Sequence, residues 1–273
     1  MRLDVIDLRD FYGRPLGRVA RLLVGRAIRR CWPNVTGMTV AGLGYATPYL
    51  GQFRDEAERV LALMPAQQGV LHWPRSGRYL TGLVDEVCLP LPDSSADRLL
   101  LVHQLEAADQ LQPALREAWR VLAPGGRMLI VAPNRRGMWA RGESTPFGHG
   151  QPFSRGQLVS LLRSAMFTPV EWSSALFMPP IGWRFFMRSA AVWERLGARL
   201  WPRFSGVILV EATKQIYAPS GHPERARRRR LIGAPVRAGV PARMPHGAFD
   251  ASAASNDAES GAEACPVVAP RIP

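Results

Sequence analysis

Along most of the chain, short continuous apolar runs trade places with stretches in which apolar residues recur every three or four positions. The runs predict strands over 38–43, 59–64, 82–87, 98–103 and 127–132, and the periodic stretches predict helices over 48–57 and 110–122. Strands apolar on both faces, alternating with helices, predict an α/β fold: a doubly wound, Rossmann-like parallel sheet with right-handed crossovers. The pattern is clearest near 110–134. There Leu115, Ala118, Trp119 and Leu122 form one apolar helix face, and Pro124-Gly125-Gly126 ends the helix. Proline cannot continue a helix and glycine accepts positive φ, so a buried strand over 127–131 follows directly. Pro65, Gly69, Pro74 and Gly77 break up residues 65–80, which predicts a loop in place of a crossover helix.

The flanks read differently. Residues 14–31 predict a basic amphipathic helix, with Leu16, Val19, Ala20, Leu23, Ala27 and Ile28 on one face and Arg18, Arg21, Arg26, Arg29 and Arg30 elsewhere. It either packs on the domain edge with a solvated basic face or lies on a membrane surface. Ser154 is placed as the N-cap of a helix over 154–166. Strands follow over 167–172 and 206–216, for seven in all, and between them lies a helical insertion at about 180–202 rich in Trp183, Phe185, Phe186, Trp193 and Trp201. In its stripe of Phe186, Trp193, Leu196 and Leu200, core packing competes with a substrate or membrane surface. The predicted organisation is a helical extension over 1–37, a main domain over 38–217, and a disordered, basic, Pro/Ala-rich tail over 218–273.

Composition narrows the partners. The 273-residue chain carries a net charge of +13, yet Lys214 is the only lysine among its 35 basic residues. Arginine in place of lysine, with heavy Ala, Gly and Pro usage, fits a GC-rich coding bias better than selection for phosphate contacts. Apart from Arg225–Arg230 the charges are scattered, so nucleic acid is the less favoured partner. Cys31, Cys88 and Cys265 lie far apart without a CxxC, a pattern of neither a disulfide framework nor a zinc site. No metal site is expected. Acidic residues stand where a signal peptide needs an apolar run, and no stretch reaches a membrane span. A cytoplasmic protein, at most peripheral to a membrane, is the expectation.

Three segments carry chemistry. Ala41-Gly42-Leu43-Gly44-Tyr45-Ala46 turns from the first strand into a helix, where missing Cβ atoms let backbone amides approach a ligand. Asp85-Glu86-Val87-Cys88-Leu89-Pro90-Leu91-Pro92-Asp93 follows the third strand, and 97–106 forms the fourth, with His103 at its carboxyl end, over the crevice where open α/β sheets bind ligands. With the helix–Pro-Gly-Gly–strand step, these segments resemble the type 11 family of class I S-adenosylmethionine-dependent methyltransferases. The resemblance covers roughly 38–172 and is strongest over 85–134.

The resemblance implies S-adenosyl-L-methionine as cofactor, held by Gly42, Leu43, Gly44, Ala46, Met64, Pro65, Asp85, Glu86 and His103. Asp85 falls where the family's carboxylate meets the adenine amino group. Met64 falls where the family has the acid that holds both ribose hydroxyls, so Gln67, Gln68 or a displaced side chain must serve there or affinity is lower. Gly42, Ala46 and Pro48 also replace the family's acid and later glycines. His103 and His149 are the candidate catalytic bases, and Trp139 and Arg141 the candidate substrate contacts, in a loop that borders the acceptor in this family. The expected acceptor is a small or lipid-like molecule. Two other readings stay open: a methyltransferase fold without turnover that binds or regulates, and a peripheral RNA- or membrane-binding protein.

Overall fold

A computed structural model describes residues 3–182 and 189–215. The element order is α1 (Val5–Gly13), α2 (Pro15–Cys31), β1 (Thr39–Gly44), α3 (Thr47–Leu50), β2 (Arg59–Pro65), β3 (Thr81–Val84), β4 (Ala96–Val102), α4 (Leu111–Val121), β5 (Leu122–Pro133), α5 (Arg155–Ser164), β6 (Phe167–Ala175), α6 (Ala190–Leu200) and β7 (Val207–Lys214). One seven-stranded sheet has the order β3-β2-β1-β4-β5-β7-β6. The expected parallel sheet is a mixed one. β7 enters between β5 and β6 and runs antiparallel to both, because the chain doubles back through α6 instead of crossing over. The predicted tail over 218–273, and Trp183, Phe185 and Phe186 of the insertion, lie outside the described residues.

Two apolar layers sandwich the sheet. Val40, Ala62, Met64, Leu100, Val102, Leu129 and Val131 face α1, α2 and α3. Alternate residues of the same strands, among them Ala41, Leu43, Leu99, Leu101, Met128 and Ile130, face α4 and α5. Period-two alternation between two covered faces is why these strands read as continuous apolar runs. α4 ends at Val121, three residues ahead of the Pro-Gly-Gly step, which lies in the first part of β5. Gly125 takes φ +76°, and the register against β4 slips between Ala96 and Arg98, so β5 starts with a bulge around the turn.

The predicted helix over 48–57 is much shorter. α3 spans four residues and a single tight turn follows over Gly51–Phe53. Proline early in the segment and Gly51 after it leave too few good helix formers to propagate. Helical cover on this face comes from α1 and α2. They meet at a sharp corner where a Cβ on Gly17 would stand 1.9 Å from the Phe11 carbonyl oxygen.

α2 is tied to the sheet by one buried carboxylate. Glu211 of β7, 1% exposed, accepts from Trp32 Nε1 at 2.9 Å and pairs with Arg127 Nη1 at 2.7 Å. Arg127 is 42% exposed and keeps its water when Glu211 is removed, so the loss falls on the buried Trp32 N–H, and Glu211→Ala is expected to lower stability by about 1–3 kcal/mol. Urea unfolding checks this, and a loss below about 1 kcal/mol would show that the pair behaves like a surface one.

Candidate functional site

The crevice forms where β1 and β4 end side by side. Gly44 takes φ +82°, and a Cβ there would stand 2.4 Å from the Val102 carbonyl oxygen, so only glycine makes this turn without strain. Tyr45 N–H donates to that same carbonyl at 2.8 Å, fixing the exit from β1 against the end of β4. The next residue on β4 is His103, at φ +52°. A non-glycine residue held in the left-handed region costs about 1–3 kcal/mol and marks a site where surrounding contacts hold the backbone.

Those contacts form a buried relay. His103 Nδ1 lies 3.0 Å from Glu106 Oε1, and His103 Nε2 lies 2.9 Å from the Tyr12 hydroxyl of α1. The Tyr12 hydroxyl in turn meets Tyr49 Oη at 3.0 Å. Burial, reinforced by the adjacent Tyr49, pushes the Tyr12 phenol well above the usual tyrosine range; burial raises Tyr49 as well. Both phenols therefore stay protonated. One arrangement satisfies every group: Tyr49 O–H donates to Tyr12, Tyr12 O–H donates to His103 Nε2, and His103 Nδ1–H donates to Glu106. The carboxylate thus fixes the tautomer that leaves Nε2 as acceptor.

α1 closes the site. Val5 N–H donates to the Gln68 carbonyl just beyond β2, Leu8 is buried, and the Tyr12 ring stacks on Tyr45 at 5.7 Å between centroids. Beneath it remains a cavity of about 10 Å³ lined by Leu8, Gln68, His103, Glu106 and His149, room for one water-sized sphere. Three buried acceptor oxygens around this crevice lack a donor among the described residues: Gln68 Oε1, Gln104 Oε1 and Glu106 Oε2. On the outer side of Tyr12 an open cleft of about 540 Å³ is lined by Arg9, Arg21, Tyr45, Thr47, Trp73 and Arg75. Tyr12 is the wall between that cleft and His103.

The residues singled out in the sequence are distributed unevenly. His103 and His149 line the same small cavity, with His149 Nε2 donating to the Glu143 carbonyl. Gly44 makes the expected turn. Gly42 is packed under Ala46 and Leu50, and Leu43 faces the opposite apolar layer. Met64 is fully buried, and its sulfur accepts from Leu71 N–H at 3.5 Å; Pro65 beside it is buried too. Asp85 is exposed and caps its own turn by accepting from Val87 N–H. Glu86 is buried and accepts from the Gln104 amide. Trp139 lies in the core, donating to the Met178 carbonyl and stacked edge-on against Phe147, while Arg141 is exposed. Trp139 stands one ring away from the site, because Phe147 intervenes at 4.9 Å from His103.

Tyr12, Tyr49, Gln104, Glu106 and Phe147 were not singled out. Their signal was partly present: Asp4 is an N-cap, and Val5, Leu8, Phe11 and Tyr12 share one helical face. Glu106 follows His103 by three residues, a spacing that brings both to one turn.

The 85–93 segment is held from α4. Glu117 accepts from Leu89 N–H and pairs with Arg120, whose guanidinium also donates to the Leu89 and Leu91 carbonyls. Burial raises the Glu117 carboxyl, but the hydrogen bonds from Arg120 and the Leu89 amide outweigh it, so it sits below the usual carboxylate range. A depressed carboxylate contributes stability above its unfolded value and loses it as pH falls through the folded one. Glu117→Gln is therefore expected to flatten the fall of melting temperature between about pH 5 and 3. An unchanged acid limb in a thermal scan would contradict this.

Among the described residues no cluster of three or more His, Cys, Asp or Glu could hold a metal ion, and no helix is long and apolar enough to cross a membrane. Residues 40–130 match the methyltransferase domain family of type 11. A probable S-adenosylmethionine-dependent methyltransferase of Mycolicibacterium smegmatis is 31% identical over 148 residues, 52% of this chain and 55% of that protein. The chain thus spans about half the length of this relative. A ubiquinone/menaquinone biosynthesis C-methyltransferase of Methylobacterium nodulans is 39% identical over 62 residues, 21% of this chain and 25% of that protein. Among solved structures, a possible histamine N-methyltransferase of Thermotoga maritima shares the fold at TM-score 0.53 and 17% identity, covering 77% of this chain and 96% of its own. So does the [4+2]-cyclase SpnF, at TM-score 0.50 and 21% identity, covering 71% and 80%. The matched residues, the strand order and the Gly44 turn thus make this domain similar to the type 11 methyltransferase domain family and to an S-adenosylmethionine-dependent relative.

Proposed function

We propose that the chain transfers a methyl group to a small, hydrophobic acceptor at the carboxyl end of β4, with His103 taking up the acceptor's proton. The observation that carries this reading is the buried relay of Tyr12, His103 and Glu106, ringed by three acceptor oxygens without donors. S-adenosyl-L-methionine, when bound, supplies a methyl group made electrophilic by a sulfonium. Its ribose hydroxyls, ammonium and adenine amino group are donors, which is what Gln68, Gln104 and Glu106 lack; an unpaired buried acceptor costs about 1–3 kcal/mol. The residues fit the cofactor chemically once α1 makes room. Gln68 would then serve where Met64 offers no carboxylate, Asp85 would meet the adenine amino group, and the Gly44 turn would admit the amino-acid end.

When α1 withdraws, Tyr12 leaves His103 Nε2, which becomes free to accept a proton from an O–H or N–H nucleophile. Glu106 holds Nδ1–H and stabilises the imidazolium that results. Phe147, beside His103, offers an apolar wall that keeps water out, which supports a hydrophobic acceptor. The quinone-pathway relative supports the same class, over its short matched span. The test is formation of S-adenosylhomocysteine from the methyl donor with a panel of hydrophobic phenols, quinols and amines. Product with any of them supports the reading.

A second reading is favoured by Met64 and by the 10 Å³ cavity. In it the fold binds or regulates without turnover, as sharing a fold with a cyclase allows. Cofactor binding without product across the panel would favour it.

A further inference from the structure

α6 covers little of the core. It docks through Ala190 and Gly197, the latter so close to Phe177 that a Cβ would stand 2.3 Å from that side chain's Cβ. Val192 (47% exposed), Leu196 (47%) and Leu200 (63%) follow one another at four-residue spacing along its outer face, and Phe204 (48%) continues past its end. A surface helix ordinarily turns such a stripe inward. Beside it, α2 exposes Leu22 at 52%.

The charges on these two helices are mostly positive. α2 and α6 together hold seven arginines, Arg18, Arg21, Arg26, Arg29, Arg30, Arg195 and Arg199, of which Arg21 faces the cleft beside Tyr12, and a single carboxylate, Glu194. That carboxylate is already engaged, accepting from the Leu176 and Phe177 N–H groups. Arg29 pairs with Glu56 at 2.6 Å. Arg26, Arg29, Arg30 and Arg195 line a cleft of about 860 Å³ between the two helices.

We propose that the exposed face of α6, with the arginines of α2 beside it, docks on an anionic lipid bilayer. Apolar side chains next to arginines on a helix lying at the surface match the two layers of a membrane interface: acyl carbon beneath, phosphate above. Phosphate contacts alone, as in RNA binding, give the exposed leucines nothing to bury. A second copy of the chain would set arginine against arginine. Docking there does not depend on the catalytic reading.

The test is co-sedimentation of the full chain with vesicles of phosphatidylcholine mixed with phosphatidylglycerol, against vesicles of phosphatidylcholine alone. Binding is expected on the anionic vesicles and to fall with added salt. Arg26→Gln with Arg195→Gln should weaken it by about 25-fold, roughly fivefold per charge. Leu196→Gln with Leu200→Gln should weaken it at least as much, with the melting temperature kept, since these side chains are exposed. Equal binding to neutral vesicles, binding that survives both double substitutions, binding to polyuridylic acid in place of vesicles, or none at all would overturn the proposal.

Discussion

His103→Ala is expected to lower kcat by about 10²–10⁴, the range for a positioned general base, with a much smaller change in KM for the methyl donor. The side chain sits at the end of β4 with Glu106 fixing its tautomer and with Nε2 pointed toward the space that Tyr12 fills. Loss of the base leaves the acceptor to shed its proton to water that the apolar wall excludes. Glu106→Gln keeps the shape but no longer favours the imidazolium, so it should lower kcat less and shift the pH profile of the reaction. A pure structural role for His103 predicts the reverse pattern: lower melting temperature, an unchanged pH profile and equal losses in all parameters. Steady-state kinetics across pH separates the two.

Tyr12→Ala is expected to destabilise the fold and yet tighten cofactor binding. The buried ring stacks on Tyr45 and meets Tyr49 edge-on, and its hydroxyl bridges Tyr49 and His103. Truncating a buried aromatic costs about 3–5 kcal/mol. If α1 is the latch, much of that energy is removed from the closed state. Apparent affinity scales with the fraction of molecules that are open, so it should rise by up to about a hundredfold. Tyr12→Phe keeps the ring and loses the hydroxyl, and should show a smaller change of the same sign. Opposite signs for stability and affinity are the signature of a latch, because an ordinary core residue loses both. Thermal shift and titration of the same variants read the two effects.

The sheet could be read in the sequence because its information is local. Buried strands declare themselves as apolar runs, and Pro-Gly-Gly between Val121 and Arg127 marks the step from helix to strand wherever the rest of the chain lies. The direction of β7 could not be read, since an alternating strand looks the same in either direction. α3 was overestimated because apolar spacing does not weigh the weak helix propensity at Gly51, where the helix stops.

The site was legible in halves. His103 and the Gly44 turn lie on elements whose position follows from the sheet order. Tyr12 reaches His103 across 91 residues and Tyr49 across 37, pairings that no local pattern encodes. Trp139 was a reasonable candidate by loop position, yet its indole N–H finds the Met178 carbonyl and Phe147 takes the place beside His103. The absent carboxylate at Met64 was visible from the start. Gln68 was named with it as a substitute, but the unpaired oxygens of Gln104 and Glu106 follow the end of β4 and join Gln68 only in the fold.

The central claim is that this crevice accepts S-adenosyl nucleosides when α1 yields. Calorimetric titration of S-adenosylhomocysteine into the intact chain and into Tyr12→Ala tests it most directly. Saturable binding to both, tighter in the variant, is the predicted result. No heat from either protein at millimolar ligand, with both still folded, would contradict it.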